Sequence, residues 1–133
     1  MLKESLFEVP ISFHIFNRPE TTQLVFNEIK KIRPKQLFIT SDGPRDNKLS
    51  DKEACKKVRL IVDDIDWECE LHTNFSDINK GCFKSITEGI TWVFEHVKRA
   101  IILEDDCVPS GSFFKFCDEL LDYYQDDTRV SII

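Results

Sequence analysis

Short apolar runs alternate with amphipathic segments along the chain, and this alternation is the feature that most restricts its fold. Runs typical of strands lie at residues 9–16, 37–41, 69–75, 100–103 and 129–133. Between them, apolar residues recur at helical spacing at 19–32, from 50 onwards, at 82–97 and from 109 onwards. Strands that alternate with helices form a parallel sheet with helices on both faces. The pattern predicts an α/β fold, a three-layer α/β/α sandwich around a mostly parallel sheet.

Local signals mark where these elements begin and end. Asn17 and Pro19 are residue types that cap and open a helix, and Pro34 ends it. The residues Ser-Asp-Lys-Glu at 50–53 form a capping-box pattern, which predicts the start of the second helix. The third strand alternates apolar and polar residues, which predicts a half-exposed strand at a sheet edge.

The size of the chain fits one domain, residues 1–133, with 41% hydrophobic residues and one core. The last predicted strand has no residues after it, so we expect the domain to be cut within its fifth strand.

The net charge, the lack of long apolar runs and the cysteine spacing argue against several classes of protein. A net charge of −6 argues against a general nucleic-acid-binding surface. No apolar run approaches the ~20 residues that a membrane span needs, and the first ten residues lack an apolar signal region. Five cysteines without a Cys-x-x-Cys pair favour reduced thiols over disulfides or a zinc site. These features predict a cytoplasmic protein without a transmembrane segment.

The most informative stretch for function is the fourth strand and the acidic triplet that follows it. Residues 101–103 are Ile-Ile-Leu, which predicts a strand buried on both faces. They are followed at once by Glu104, Asp105 and Asp106. Ligands of open α/β sheets bind at the carboxyl ends of strands, and a divalent cation is the natural counter-ion for such a triplet. The alternative is a solvated acidic loop that binds nothing.

Polar residues after the first two strands are expected at the same edge of the sheet. Asn17 and Arg18 follow the first strand, and Asp42 and Gly43 follow the second. An arginine pairs with a ribose or a diphosphate, and an Asp accepts hydrogen bonds from a nucleobase. Taken singly, Asn17 indicates only a helix cap, and Asp42 before Gly43 indicates only a turn. Their placement beside the acidic triplet predicts a nucleotide site.

Other nucleotide-binding patterns are not found in the sequence. There is no Gly-x-Gly-x-x-Gly and no Gly-x-x-x-x-Gly-Lys-Ser/Thr, so dinucleotide-binding and P-loop sites are excluded. No Ser-His-Asp or Cys-His constellation is readable either.

Four motifs together resemble one known family. They are Pro-Ile-Ser-Phe-His-Ile-Phe-Asn-Arg-Pro-Glu at 10–20, Thr-Ser-Asp-Gly-Pro at 40–44, Asn-Lys-Gly at 79–81 and Ile-Ile-Leu-Glu-Asp-Asp-Cys-Val-Pro at 101–109. In this order they resemble the N-terminal half of GT-A-fold glycosyltransferases, whose nucleotide-binding half is Rossmann-like. The branch they are most similar to is that of N-acetylglucosaminyltransferase I and its bacterial relatives, in which Glu-Asp-Asp is a form of the Asp-x-Asp motif.

The resemblance implies a donor site for a nucleotide-diphosphate sugar, most often a UDP-sugar. Asp106 would bind Mn²⁺ or Mg²⁺ together with the diphosphate, and Glu104 and Asp105 would contact the ribose and the sugar. The remaining expected donor-binding residues are Phe16, Asn17, Arg18, Asp42 and Gly43, of which Asp42 would read the base. Lys84 is added only for its position near the start of the third helix.

The implied reaction is transfer of a sugar to an acceptor hydroxyl, for example of a glycan. In such enzymes the acceptor site and the catalytic base lie after the fifth strand, so we expect neither within 1–133 and assign no catalytic base. The resemblance also implies a cytoplasmic location, peripheral to the inner membrane in some arrangements. The alternative is a non-catalytic nucleotide-binding or interaction domain of the same fold.

Overall fold

A computed structural model describes residues 5–133 as four strands and four α-helices that alternate along the chain. In chain order they are β1 (Ile11–Ile15), α1 (Pro19–Ile32), β2 (Gln36–Ser41), α2 (Leu49–Arg59, extended by a 3₁₀ turn at Leu60–Asp64), β3 (Glu70–Phe75), α3 (Cys82–Phe94), β4 (Ile101–Glu104) and α4 (Gly111–Tyr123).

The sheet is entirely parallel, with the strand order β3-β2-β1-β4. Phe13 of β1 lies opposite Ile39 of β2 on one side and Leu103 of β4 on the other. The chain moves outwards from β1 to β3 and then returns to add β4 on the opposite side of β1. The α/β prediction is confirmed, as is the edge position of the third strand.

One face of the sheet carries the main apolar core. Side chains of α1, α2 and α4 pack there against alternate residues of the strands. Phe13, Phe26 and Phe114 are almost completely buried in this layer. Burial of an aromatic or aliphatic side chain contributes about 1.5–3 kcal/mol each, so this layer supplies most of the stabilisation of the fold.

The other face is more polar, and among the helices of residues 5–133 only α3 covers it. It presents Ser12, His14, Phe38 and Thr40, all buried. Helix α3 lies close to these strands at Gly89, where an added Cβ would be 2.8 Å from Thr40 Cγ2 and 2.9 Å from His14 Cε1. The absence of a side chain at Gly89 therefore allows the close approach of helix and sheet.

Two expectations about the C-terminal part are wrong. Strand β4 is not buried on both faces, since Ile102 is 40% exposed; β4 is an edge strand, with β1 as its only strand neighbour among residues 5–133. Residues 129–133 form no strand. The amide of Val130 instead donates to the carbonyl of Asp127 in a turn, which takes the backbone out of the extended conformation.

The predicted capping box is also wrong. Helix α2 begins at Leu49, one residue before Ser50, and its N-cap residue Lys48 makes no side-chain capping bond. The carboxylate of Asp51, which belongs to the expected box, bonds Arg45 instead. Asp51 thus forms an ion pair with the loop that precedes α2.

The apolar stripes of the last two helices are only partly buried. Val93 and Cys117 are buried as expected, whereas Phe83, Phe94 and Phe116 are 85%, 45% and 55% exposed. Helix α3 has one face of a narrow sheet to cover, so the outer part of its stripe remains at the surface. None of the helices within residues 5–133 has the length and apolar character needed to cross a membrane.

Candidate functional site

A cavity of about 380 Å³ opens at the carboxyl edge of the sheet, around the end of β1. The loops after β1, β2 and β4 and the start of α3 surround it. Since the strand order reverses between β1 and β4, this is the topological switch point, where open α/β sheets bind their ligands. The volume is within the range of small-molecule sites.

The structure brings most of the predicted site residues to this cavity. Phe16, Asn17, Arg18, Asp42, Glu104 and Asp105 all line it.

Three predicted residues do not line the cavity. Gly43 packs against the backbone of Ile78. The side chain of Lys84 is 65% exposed and lies 3.7 Å from Glu88. Asp106 is turned towards Arg18, whose Nη1 donates to its Oδ2 at 2.8 Å. A ligand-binding role for these three residues stays a prediction.

Arg18 joins the loop after β1 to the acidic triplet. It bonds Asp106, and its Nε lies 3.9 Å from Oδ1 of the buried Asp105. The bond from Arg18 lowers the pKa of Asp106. Burial raises the pKa of Asp105, and the charge of Arg18 offsets part of this. The amide of Phe16 also donates to Asp105 Oδ2 at 3.3 Å, so Asp105 joins the two loops while Asp106 remains near the surface.

The number of metal-ligating side chains near the cavity limits the kind of metal site that the chain can form. Within residues 5–133, no three His, Cys, Asp or Glu side chains gather as a metal centre. Mg²⁺ and Mn²⁺ sites on diphosphate substrates need only one or two carboxylates, because phosphate oxygens and water complete the coordination. Asp106, with a side chain 41% exposed, and the exposed Glu104 fit such a minimal site.

Asp42 is fully hydrogen-bonded within the chain. Its Oδ1 accepts from the amides of Gly43 and Lys80, both at 2.8 Å. Its Oδ2 accepts from the amide of Gly81 at 3.0 Å and from Asn79 Nδ2 at 3.1 Å. A carboxylate has about four acceptor positions, and these four bonds use them. The geometry favours a structural role, in which Asp42 ties the loop before α3 to the end of β2.

A second polar cluster at the cavity was not predicted. Asp51, almost completely buried, accepts from Arg45 Nε and Nη2 at 2.5 and 2.9 Å and from Asn17 Nδ2 at 2.8 Å. The bonds from Arg45 hold the pKa of Asp51 far below its usual range. Arg45 also lies 5.5 Å from the ring centroid of Phe16, within cation–π distance.

This cluster was missed because its members lie in three different segments. Local patterns assign Asn17 to a helix cap, Arg45 to a turn and Asp51 to a capping box. Only the fold brings them together. The one available signal was Arg45 itself, a basic residue in a loop expected at the carboxyl edge.

The beginning of α3 forms another wall of the cavity; its motif at 79–81 was noted in the sequence, but no site role was predicted for these residues. Asn79, Gly81, Cys82 and Ser85 line the cavity. The N-cap residue of α3 is Gly81, with φ of +86°, which has no side chain that could cap the first amides of the helix. The first amides of a helix carry a partial positive charge and favour anions.

His14 lies at the inner side of the cavity and is 6% exposed. Its Nε2 shares a 2.9 Å hydrogen bond with Ser12 Oγ, while its Nδ1 has no partner among residues 5–133. Burial lowers the pKa of His14 to about 4, so the ring is neutral at physiological pH.

No protein-family model matches the chain, and neither a curated protein nor a solved structure shows significant similarity to it.

Proposed function

We propose that the chain binds a nucleotide-diphosphate sugar at the switch-point cavity and forms the donor-binding part of a metal-dependent glycosyltransferase. The observation that carries the proposal is the meeting of the loops after β1, β2 and β4 around one cavity of suitable volume. The motifs at 10–20, 40–44, 79–81 and 101–109, through which the sequence resembles GT-A enzymes, lie in or beside these loops.

Different residues around the cavity suit the base, the phosphates and the sugar hydroxyls of such a ligand. Phe16, with Arg45 near its ring, offers a flat surface for a base. The start of α3 offers backbone amides to a phosphate. Glu104 and Asp105 also line the cavity, where their carboxylates can accept bonds from ribose or sugar hydroxyls.

Asp106, assisted by Glu104, is the residue we propose to hold Mn²⁺ or Mg²⁺. The ion would neutralise charge on the leaving diphosphate when bound. Arg18, already paired with Asp106, would then be released towards the phosphate oxygens. Transfer to an acceptor hydroxyl is part of the same proposal and needs an acceptor site in addition to this cavity.

The Arg18–Asp106 pair favours a second candidate function. Since the guanidinium already neutralises part of the acidic triplet, the cavity can bind a nucleotide without a metal. A metal-independent nucleotide-binding or interaction module is therefore the alternative.

Thermal unfolding separates these two functions. The chain is melted with UDP, GDP, CDP or ADP, each with Mn²⁺ and with EDTA. A ligand present at a hundredfold excess over its dissociation constant stabilises the folded state by ~2.7 kcal/mol. The glycosyltransferase proposal predicts a shift with one nucleotide that is lost with EDTA and in Asp106→Asn. A shift that persists in both supports the metal-independent module.

Two further variants test where the ligand sits. Ser85→Phe places a ring in the cavity and should abolish the nucleotide response. Asp126→Asn removes an exposed carboxylate outside the residues that line the cavity and should leave the response unchanged. A well-folded chain that responds to none of the four nucleotides contradicts both candidate functions.

A further inference from the structure

Two histidines meet at the edge of the sheet, away from the candidate site. His72 lies on β3 and His96 follows the end of α3, with ring centroids 5.5 Å apart. The ring of His72 stacks on the buried Phe38 at 4.5 Å with an interplanar angle of 7°, and the ring of His96 lies 5.7 Å from Phe38. Both imidazoles are thus held in place against one buried ring, while both remain accessible to solvent.

Each imidazole has one nitrogen engaged by an oxygen that can only accept a hydrogen bond. His72 Nε2 lies 2.8 Å from Glu70 Oε1, and His96 Nδ1 lies 2.8 Å from the carbonyl oxygen of Trp92. These nitrogens must therefore carry the protons. In the neutral rings, Nδ1 of His72 and Nε2 of His96 keep their lone pairs.

In histidines that bind metals, the second nitrogen usually donates to a carboxylate or a backbone carbonyl, and both rings have such a bond here. With Zn–N bonds of about 2.0–2.1 Å and a tetrahedral angle, two rings on one ion have centroids roughly 5 Å apart. The observed separation of 5.5 Å is close to this value.

We propose that His72 and His96 bind one divalent transition-metal ion of the Zn²⁺ type, with Glu70 orienting His72. Since no group of three or more metal-ligating side chains gathers within residues 5–133, water supplies the other ligands. The ion links the edge strand β3 to the C-terminal end of α3. The candidate nucleotide site lies at the other end of this 13-residue helix, about 20 Å away.

Calorimetric titration with ZnCl₂ tests the proposal, with MgCl₂ as the ion that imidazole does not favour. We expect one Zn²⁺ per chain and no Mg²⁺ binding under the same conditions. Zinc should also raise the melting temperature, because the ion binds both elements only when they are folded together.

The variants are chosen to preserve the packing around Phe38. His72→Phe keeps a stacked ring and removes the ligand nitrogen, and His96→Gln removes the second ligand. Each should weaken Zn²⁺ binding at least about tenfold while the melting temperature without metal changes little. Glu70→Gln, which keeps both ligands, should weaken binding about tenfold.

The exposed thiols of Cys82 and Cys107 are the competing source of zinc affinity. The double variant Cys82→Ser, Cys107→Ser should therefore bind Zn²⁺ as the wild type does. The proposal is overturned if the wild type binds no Zn²⁺, if His72→Phe and His96→Gln bind it unchanged, or if the double cysteine variant alone loses binding.

Discussion

Two adjacent carboxylates at the end of β4 have opposite electrostatic environments. Asp105 faces inwards to the amide of Phe16, and burial raises its pKa. Asp106 faces outwards to Arg18, whose hydrogen bond lowers its pKa. Two consecutive residues thus differ in role: Asp105 connects two loops at the cavity wall, and Asp106 lies near the surface in an ion pair with Arg18.

At the level of a single residue, a substitution of Asp42 tests whether its carboxylate has a structural role. Asp42→Asn replaces one acceptor oxygen by an NH₂ group that faces backbone amides of the loop before α3. We expect a loss of about 1–3 kcal/mol in the free energy of unfolding, because buried amides lose their acceptor. Urea unfolding, monitored by circular dichroism, measures the change.

The matched control for this change is Asp77→Asn, an exposed carboxylate near the same loop. This substitution should leave the free energy of unfolding unchanged. If Asp42→Asn is equally neutral but abolishes nucleotide binding, the structural assignment of Asp42 is wrong and its carboxylate serves the ligand instead.

At the level of elements, Gly89 tests how closely α3 lies to the sheet. A helical Gly→Ala change normally stabilises by about 1 kcal/mol. At Gly89 the added methyl would meet Thr40 and His14 at less than 3.0 Å, so we expect Gly89→Ala to destabilise the chain by about 1–3 kcal/mol. Urea unfolding of the wild type and of Gly89→Ala measures the difference in the free energy of unfolding.

Gly111, at the start of α4, is the natural comparison. An added Cβ there meets no atom of the described residues within 4 Å, so Gly111→Ala should be neutral or slightly stabilising. Equal effects of the two substitutions would contradict the close approach of α3.

The elements show what a sequence can predict and what it cannot. Helix α1 has the predicted bounds, because Pro19 and the apolar spacing are local signals. Burial of Ile102 was predicted wrongly, since the position of β4 at the sheet edge depends on strand order. The cavity residues after β1, β2 and β4 were predicted from topology. The Arg45–Asp51 pair was not, because no local pattern encodes a contact between a turn and a helix.

The sheet as a whole ends in an edge strand with apolar surface near it. Ile102 of β4 is 40% exposed, and Phe94, which lines the same surface pocket as Ile102 away from the candidate site, is 45% exposed. Edge strands of this kind pair with other chains unless charges protect them. We expect concentration-dependent self-association in sedimentation velocity, reduced by Ile102→Lys.

The control for this prediction is Leu24→Lys, which places the same charge at an exposed position on α1. It should leave self-association unchanged. Equal effects of both lysines would show that net charge, and not the β4 edge, governs association.

The stability of the whole molecule should fall in two separate pH windows. Burial lowers the pKa of His14 to about 4, below the unfolded value near 6.5. Between these values the unfolded chain binds the proton more readily, so stability is lost as pH falls from 6.5 to 4, by up to ~3 kcal/mol. Asp51, whose pKa lies far below its usual range, stabilises the chain above pH ~4 and loses this contribution as pH falls further.

Denaturant unfolding of variants between pH 2 and 8 separates the two windows. The difference in stability between wild type and His14→Gln should change only from pH 6.5 to 4, and that for Asp51→Asn only below about 4. Asp105 titrates alike in each pair and cancels in the difference. The exposed Asp63→Asn should parallel the wild type throughout. If His14→Gln also runs parallel, the pKa of His14 is the same in the folded and unfolded chains, and the polar face beneath α3 is solvated rather than buried.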